Sequence, residues 1–274
     1  MSEMKRTAVV GDFSGVGTGV LNAALPILSA AGAETCAVVT SVLSANSLNA
    51  GESIRRDLSE DVPGYVSQWK KLGLRFDAVL CSLSDAGNAG ACAFAESFCT
   101  GDCFLMVDPA PGCGPFSPED EDLLCRADLI VPDIREAARL LGEEEREGPY
   151  ERGYVERLLR NLCLLGPKMA VVKGIWFSGG LIGAAGFDFA SGLVSYAFTP
   201  RVEGEYSGSG TVFSPALLAG FLNGMNLTNA MQFAVDFTAD CMRRMRESGR
   251  SAEFGLKFEA SLPRLIRELG LEDR

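Results

Sequence analysis

Short apolar runs alternate with helix-like segments along most of this chain, and that alternation constrains the fold more than any single motif does. Strand-like runs stand at 7–10, 35–40, 76–81, 104–107, 128–131 and 169–172, and a helix is predicted over 20–31, stopping near Gly32. Nearly continuous Val/Ile/Leu-type runs, rather than apolar/polar alternation, suit strands covered on both faces, as parallel strands are. The pattern predicts an α/β fold with a mainly parallel central sheet. Polar residues gather at the carboxyl ends of these runs, the edge at which open parallel sheets bind ligands.

Later in the chain the period changes. Residues 181–187 and 193–198, joined by DFASG, read as a hairpin, and helices are predicted over 213–222, 228–247 and 258–269. The acidic stretch at 142–152 reads as a solvated surface loop. With neither an internal repeat nor a low-complexity tract, residues 1–274 are expected to form one domain.

Charge and composition narrow the function. The chain has 36 Asp and Glu against 25 Lys and Arg, a net charge of −11, and no histidine. A phosphate-backbone binder needs a basic stripe, so nucleic acid is not an expected partner, and anionic membranes are disfavoured for the same reason. Without histidine there is no Ser-His-Asp or Cys-His machinery and no HExxH zinc site. Catalysis would have to rest on carboxylates, backbone amides, cations or a thiol.

The nine cysteines, at 36, 81, 92, 99, 103, 113, 125, 163 and 241, include no CxxC pair and suit reduced thiols in the cytoplasm. The N-terminal residues lack the pattern of a signal peptide, and no apolar run approaches the roughly 20 residues of a membrane span. A cytoplasmic location is expected.

The strongest local signal is Tyr206-Ser207-Gly208-Ser209-Gly210-Thr211-Val212-Phe213, leading into SPALLAGFLNG. Two glycines at a helix entrance allow a tight turn, and the unpaired N–H groups of the first helical turn make an anion site. Ordinary helix capping by a Gly-Ser-Gly turn and Thr is the alternative. The earlier GDFSGVGTG is a poor dinucleotide fingerprint: Gly15, Gly17 and Gly19 are evenly spaced, and TCAVVTSVLS supplies no acid at the end of the second strand.

Taken in order, DFSGVGTGVLNAALPILSAAGAE, TSVLSANS, WKKLGLRFDAVLCS, VDPAPG, ADLIVPDIREAARLLG, GPKMAVVKG and GSGTVFSPALLAGFLNGMNL resemble the ribokinase-like superfamily, and within it the pyridoxal/pyridoxamine kinases. The resemblance covers nearly the whole chain. It implies a three-layer α/β/α sandwich and ATP-dependent phosphate transfer to the 5′-hydroxyl of pyridoxal or a close relative, in vitamin B6 salvage. Magnesium is implied with ATP, potassium is compatible with it, and a homodimer is the expected assembly.

Matched residue by residue, Gly208, Ser209 and Gly210 fall on the family's anion hole, and Thr211 falls where the family has its catalytic Asp. A threonine hydroxyl has no accessible deprotonated form near neutral pH, and losing a general base typically costs about 10² to 10⁴ in rate. Cys113 replaces an acid near the phosphates and metal; Asp133 and Glu136 stand in the motif that follows the next strand, Glu136 as a candidate to orient magnesium through water. Lys173 and Gly174 occupy positions near the nucleotide phosphates, where the lysine either meets phosphate charge or faces solvent.

On the substrate side, Asn46 replaces a ring-contacting His with Ser47 beside it, while Asp12 and Ser14 match positions near the ring; Asp12 could equally cap the following turn. Three functions are therefore carried forward. One is a kinase of the pyridoxal type; another is a non-catalytic descendant that binds a small molecule or nucleotide for sensing or regulation. The third is a kinase for a different hydroxylated substrate, with Asp12 or Asp133 as base.

Overall fold

The computed structural model describes residues 4–46, 53–83, 88–109, 118–249 and 251–272. The strands are β1 (Arg6–Ser14), β2 (Glu34–Leu43), β3 (Arg55–Asp57), β4 (Ala78–Leu83), β5 (Phe104–Pro109), β6 (Leu129–Ile130), β7 (Met169–Ile175), β8 (Leu181–Asp188) and β9 (Leu193–Pro200). The helices are α1 (Val20–Ala30), α2 (Val62–Lys71), α3 (Ala89–Phe98), α4 (Pro118–Arg126), α5 (Ile134–Leu140), α6 (Arg152–Leu164), α7 (Ser209–Leu222), α8 (Leu227–Ser248) and α9 (Leu262–Glu268). All nine strands form one sheet in the order β3-β2-β1-β4-β5-β6-β7-β8-β9. From β2 to β7 the pairing is parallel; β3 pairs antiparallel with β2, β8 with β7 and β9 with β8.

Strand side chains alternate strictly between two cores, which makes the α/β/α sandwich. Val79, Cys81, Leu105, Val107, Ala170 and Val172 point to the layer of α2 to α6. Ala78, Leu80, Met106 and Val171 point to α1, α7, α8 and α9. The first layer contains an aromatic cluster of Trp69, Phe76, Phe94 and Phe98, with the Phe94 and Phe98 rings 4.8 Å apart. In the second, α7 is buried over most of its circumference, as its uniformly apolar sequence requires. α8 is set by chain chemistry at both ends: the Asn226 side chain accepts from the Asn229 N–H, and Gly249 ends the helix in the left-handed conformation.

The predicted fold class holds, and the differences are local. β1 runs on to Ser14 through a register shift at Gly11/Asp12, so GDFS is strand where a loop is expected. α7 begins at Ser209, four residues before the expected start at Phe213, because the GSGT segment winds as the helix's own first turn. The expected helix over 258–269 is divided into a 3₁₀ turn at Glu259–Ser261 and α9. β3 has no sequence signal, since its three exposed residues show no apolar alternation. Among the described residues, no helix is long and apolar enough to cross a membrane.

Candidate active site

Chain connections leave β1 toward β2 on one side, while β4 joins it on the other, so the sheet order reverses beside β1. A crevice opens at such a reversal, outside the carboxyl ends of the strands. Asp12 from β1, Ser82 from β4, Asp108 from β5, Asp133 beyond β6 and Lys173 from β7 all line one cavity of about 700 Å³ there. The first turn of α7 closes one side, and Val235, Ala239 and Met242 of α8 form an apolar wall.

Gly208 sets the helix entrance. Its φ of +78° lies in the left-handed region, which a side chain would strain. The turn is held from outside by the Leu256 N–H, which donates to the Ser207 carbonyl at 2.9 Å. Val212 N–H returns to the Gly208 carbonyl, whereas the N–H groups of Gly210 and Thr211 have no acceptor among the described residues. These are the unsatisfied donors of a helix N-terminus, in a cavity and on a buried helix. No carboxylate lies within 206–213.

A cation stands directly beside these donors. Lys173 Nζ and Cε lie 3.3 Å from the point a Cβ on Gly210 would occupy. The ammonium donates to Asp108 Oδ1 at 2.6 Å and to Ser214 Oγ at 3.3 Å, with both ionic side chains about seven-eighths buried. Lys173 is therefore not the solvent-facing residue that its position after a strand allows. Burial disfavours its charged form, but Asp108, Glu136 and Asp133 together outweigh this and hold it above the usual lysine range.

The acids around it are short of positive charge. Burial pushes the Asp108 carboxyl up, against the pull of Lys173 and Ser214. Glu136 is raised to about 7, first by burial and then, against Lys173, by the like charges of Asp133 and Asp108. Asp133 and Glu136 also build the start of α5 as a capping box: Asp133 Oδ1 accepts from the Arg135 and Glu136 N–H groups, and Glu136 Oε2 accepts from the Asp133 N–H at 2.7 Å. Both side chains still line the cavity. Among the described residues, no three His, Cys, Asp or Glu converge as a dedicated metal cage.

At the other end, Asp12, Thr18, Asn46 and Arg55 line the wall. Burial raises Asp12, and its own N–H, the Val20 N–H and the Arg55 charge pull it back, so Asp12 both meets the start of α1 and faces the cavity. Asn46 Nδ2 donates to the Thr18 carbonyl at 3.3 Å. Gly17 packs so closely on the Asn46 carbonyl that a Cβ would collide with it. Ser14 is not in the cavity wall: it lies beneath the start of α1, where its backbone N–H and carbonyl bond the Asn22 amide, and its buried hydroxyl has no partner. Gly174 lines the cavity. Ser47 and Cys113 lie outside the described residues.

Sequence reasoning passed over Asp108, although the signal was there. Leu105 and Val107 face one layer and Met106 the other, so Asp108 follows Met106 toward α7. The same parity sends Lys173 after Val171 to that layer, and the two meet. Thr18, Arg55 and Ser214 carried no comparable signal, because their places depend on how loops and helices pack.

The strand order, the two helical layers and a cavity beneath a glycine-opened helix define a ribokinase-like fold. A candidate phosphomethylpyrimidine kinase from Bacteroides thetaiotaomicron, crystallised with pyridoxal, superposes with a TM-score of 0.85 over 98% of this chain and 96% of its own, at 23% identity. The pyridoxal kinase of Leishmania donovani, in complex with ADP and pyridoxamine, gives 0.81 over 95% of each chain at 19% identity. In sequence, a hydroxymethylpyrimidine/phosphomethylpyrimidine kinase from Aquifex aeolicus is 31% identical over 129 residues, 46% of this chain and 48% of that protein. The chain thus matches about half the length of that relative. Residues 117–254, half of the chain, match the phosphomethylpyrimidine kinase family, and the chain belongs to that family.

Proposed function

We propose that this chain is an ATP-dependent kinase that transfers phosphate to the hydroxymethyl group of a small heteroaromatic alcohol of the pyridoxal or hydroxymethylpyrimidine kind. The observation that carries this reading is the buried Lys173 ammonium beside the unpaired first-turn amides of α7, inside the cavity. Phosphoryl transfer asks mainly for positioning and for positive charge where negative charge develops, and this corner supplies both. The free N–H groups of Gly210 and Thr211 would donate to the transferred phosphate, and Lys173 would leave Asp108 in part to meet it. The apolar α8 wall suits a nucleotide base, and Asp12 and Asn46 suit the polar edge of the acceptor ring.

Asp133, half-buried, and Glu136, buried and raised by the like charges around it, fit a magnesium ion held through water and nucleotide phosphates. The ion, when bound, offsets charge on the phosphates. Without a carboxylate at Thr211, proton removal from the alcohol is unassisted at that position, and slow turnover is expected. The reading takes the chain as one domain, supported by the single sheet that bears the strand-borne site residues. It takes the assembly as a homodimer, for which the exposed Leu181, Phe189 and Leu193 of the β8–β9 hairpin are the contact we favour. An ADP-release assay with pyridoxal, pyridoxamine, pyridoxine and hydroxymethylpyrimidine tests the activity; turnover at background with all four would overturn it.

Two observations favour a second reading. Thr211 stands in the base position, and Asn46 spends its amide on the Thr18 carbonyl, which suits a protein that binds in this cavity without transferring phosphate. Binding of ATP-Mg and pyridoxal with no ADP formed would select it.

A further inference from the structure

The main cavity continues outward into a second depression of about 480 Å³, lined by Pro200, Arg201, Val202, Arg243, Arg246 and Glu247. Pro200 and Val202 belong to both walls. On α8 the residues facing the main cavity, Val235, Thr238, Ala239 and Met242, follow helical spacing, and Arg243 and Arg246 extend the same stripe by a turn. A face without charge along the cavity becomes cationic where the cavity opens.

In a chain of net charge −11, three guanidinium groups around one carboxylate reverse the local sign. Two of the three are tethered. Arg201 lies 5.4 Å over the Trp176 ring, with its backbone N–H on the Gly180 carbonyl at 2.7 Å. Arg246 donates at 3.0 Å to Glu203, a carboxylate 84% exposed to water, where an ion pair is worth little. Arg243 is half-buried and makes no ion pair or side-chain hydrogen bond among the described residues. Guanidinium forks match the geometry of phosphate oxygens, which bridge two of them at once.

We propose that Arg201, Arg243 and Arg246 form an oxyanion subsite that takes a phosphate group at the outer end of the cavity, apart from the first turn of α7. The subsite does not require that the chain transfer phosphate. A group held there lies past the apolar wall of α8 and is not the one that reacts at Gly208–Gly210. It is either free inorganic phosphate or a phosphate carried on the ribose of a bound nucleotide.

Titration calorimetry on the full chain separates these sources, using inorganic phosphate, AMP and adenosine 3′,5′-bisphosphate as probes. The native protein is compared with Arg243→Met, which keeps much of the apolar stem, and with Arg201→Met, at an exposed position less prone to misfolding. Loss of one charge-assisted contact weakens binding roughly tenfold or more. Weaker binding of inorganic phosphate by about that factor supports the subsite with a free ion as occupant. Loss of an advantage of the bisphosphate over AMP supports it with a ribose phosphate as occupant. Unchanged affinities for all three probes in folded variants, or a native protein showing neither phosphate binding nor a bisphosphate advantage, would overturn the proposal.

Discussion

Replacing Lys173 by Met removes an ammonium that sits 2.6 Å from Asp108 and whose charge favours the ionised forms of both Asp108 and Glu136. The methionine stem fills most of the same volume, so the cost is electrostatic. Breaking a buried pair by deleting one partner costs about 3–5 kcal/mol, because the other charge stays buried and uncompensated. For a protein of this size that corresponds to a fall in Tm of roughly 6–20 °C. The pH dependence fixes the cause. In the variant, Asp108 and Glu136 have folded pKa values raised further above their unfolded values, so the folded state holds more protons and stability falls as pH rises through the folded pKa. The deficit is therefore small near pH 5 and largest near pH 8. Scanning calorimetry of both proteins at the two pH values measures it. A deficit of equal size at both, or a Tm within about 2 °C of the native protein at pH 8, would refute the buried-charge reasoning.

Other changes probe the site in different ways. Glu136→Gln keeps an acceptor for the Asp133 N–H but cannot ionise; the native protein should lose roughly 1–3 kcal/mol relative to it between pH 5 and 8, read as converging and then crossing Tm curves, since the Glu136 pKa is raised to about 7. Gly208→Ala strains a φ of +78° and should cost about 1 kcal/mol in urea unfolding while weakening ATP binding; an unchanged nucleotide affinity would show that the turn does not hold phosphate. Thr211→Asp restores a base where the helix entrance lacks one, and ADP release with the best acceptor should rise by about 10² to 10⁴; no increase in a variant that still binds both ligands would place the base elsewhere.

What could be read from the chain was what depends on local period. The runs at 104–107 and 169–172 coincide with β5 and β7, and the expected hairpin matches β8 and β9 to within two residues, because short continuous apolar runs and turn residues are local signals. The start of α7 was not, since Ser209 and Gly210 are poor helix formers on their own and the buried helix behind them carries the turn. Most proposed site residues that the structure describes do share one cavity, but Ser14 does not, because the chain beyond the Gly11/Asp12 shift places it under α1. Strand parity alone sends Asp108 and Lys173 to the same layer, whereas their pairing also depends on the sheet order that sets β5 and β7 on either side of β6. The arginines at 201, 243 and 246 could not, because only the packing of α8 against the end of β9 brings them together.

The central claim is that the first turn of α7 and Lys173 receive the terminal phosphate of a nucleotide in the same cavity as a small acceptor alcohol. A crystal of this protein soaked with a non-hydrolysable ATP analogue, magnesium and pyridoxal tests it most directly. The account predicts the terminal phosphate within hydrogen-bonding distance of the Gly210 and Thr211 N–H groups and of Lys173 Nζ, with the pyridoxal hydroxymethyl turned toward it. A nucleotide bound with its phosphates away from that turn, or Lys173 still closed on Asp108 beside a filled nucleotide site, would contradict it.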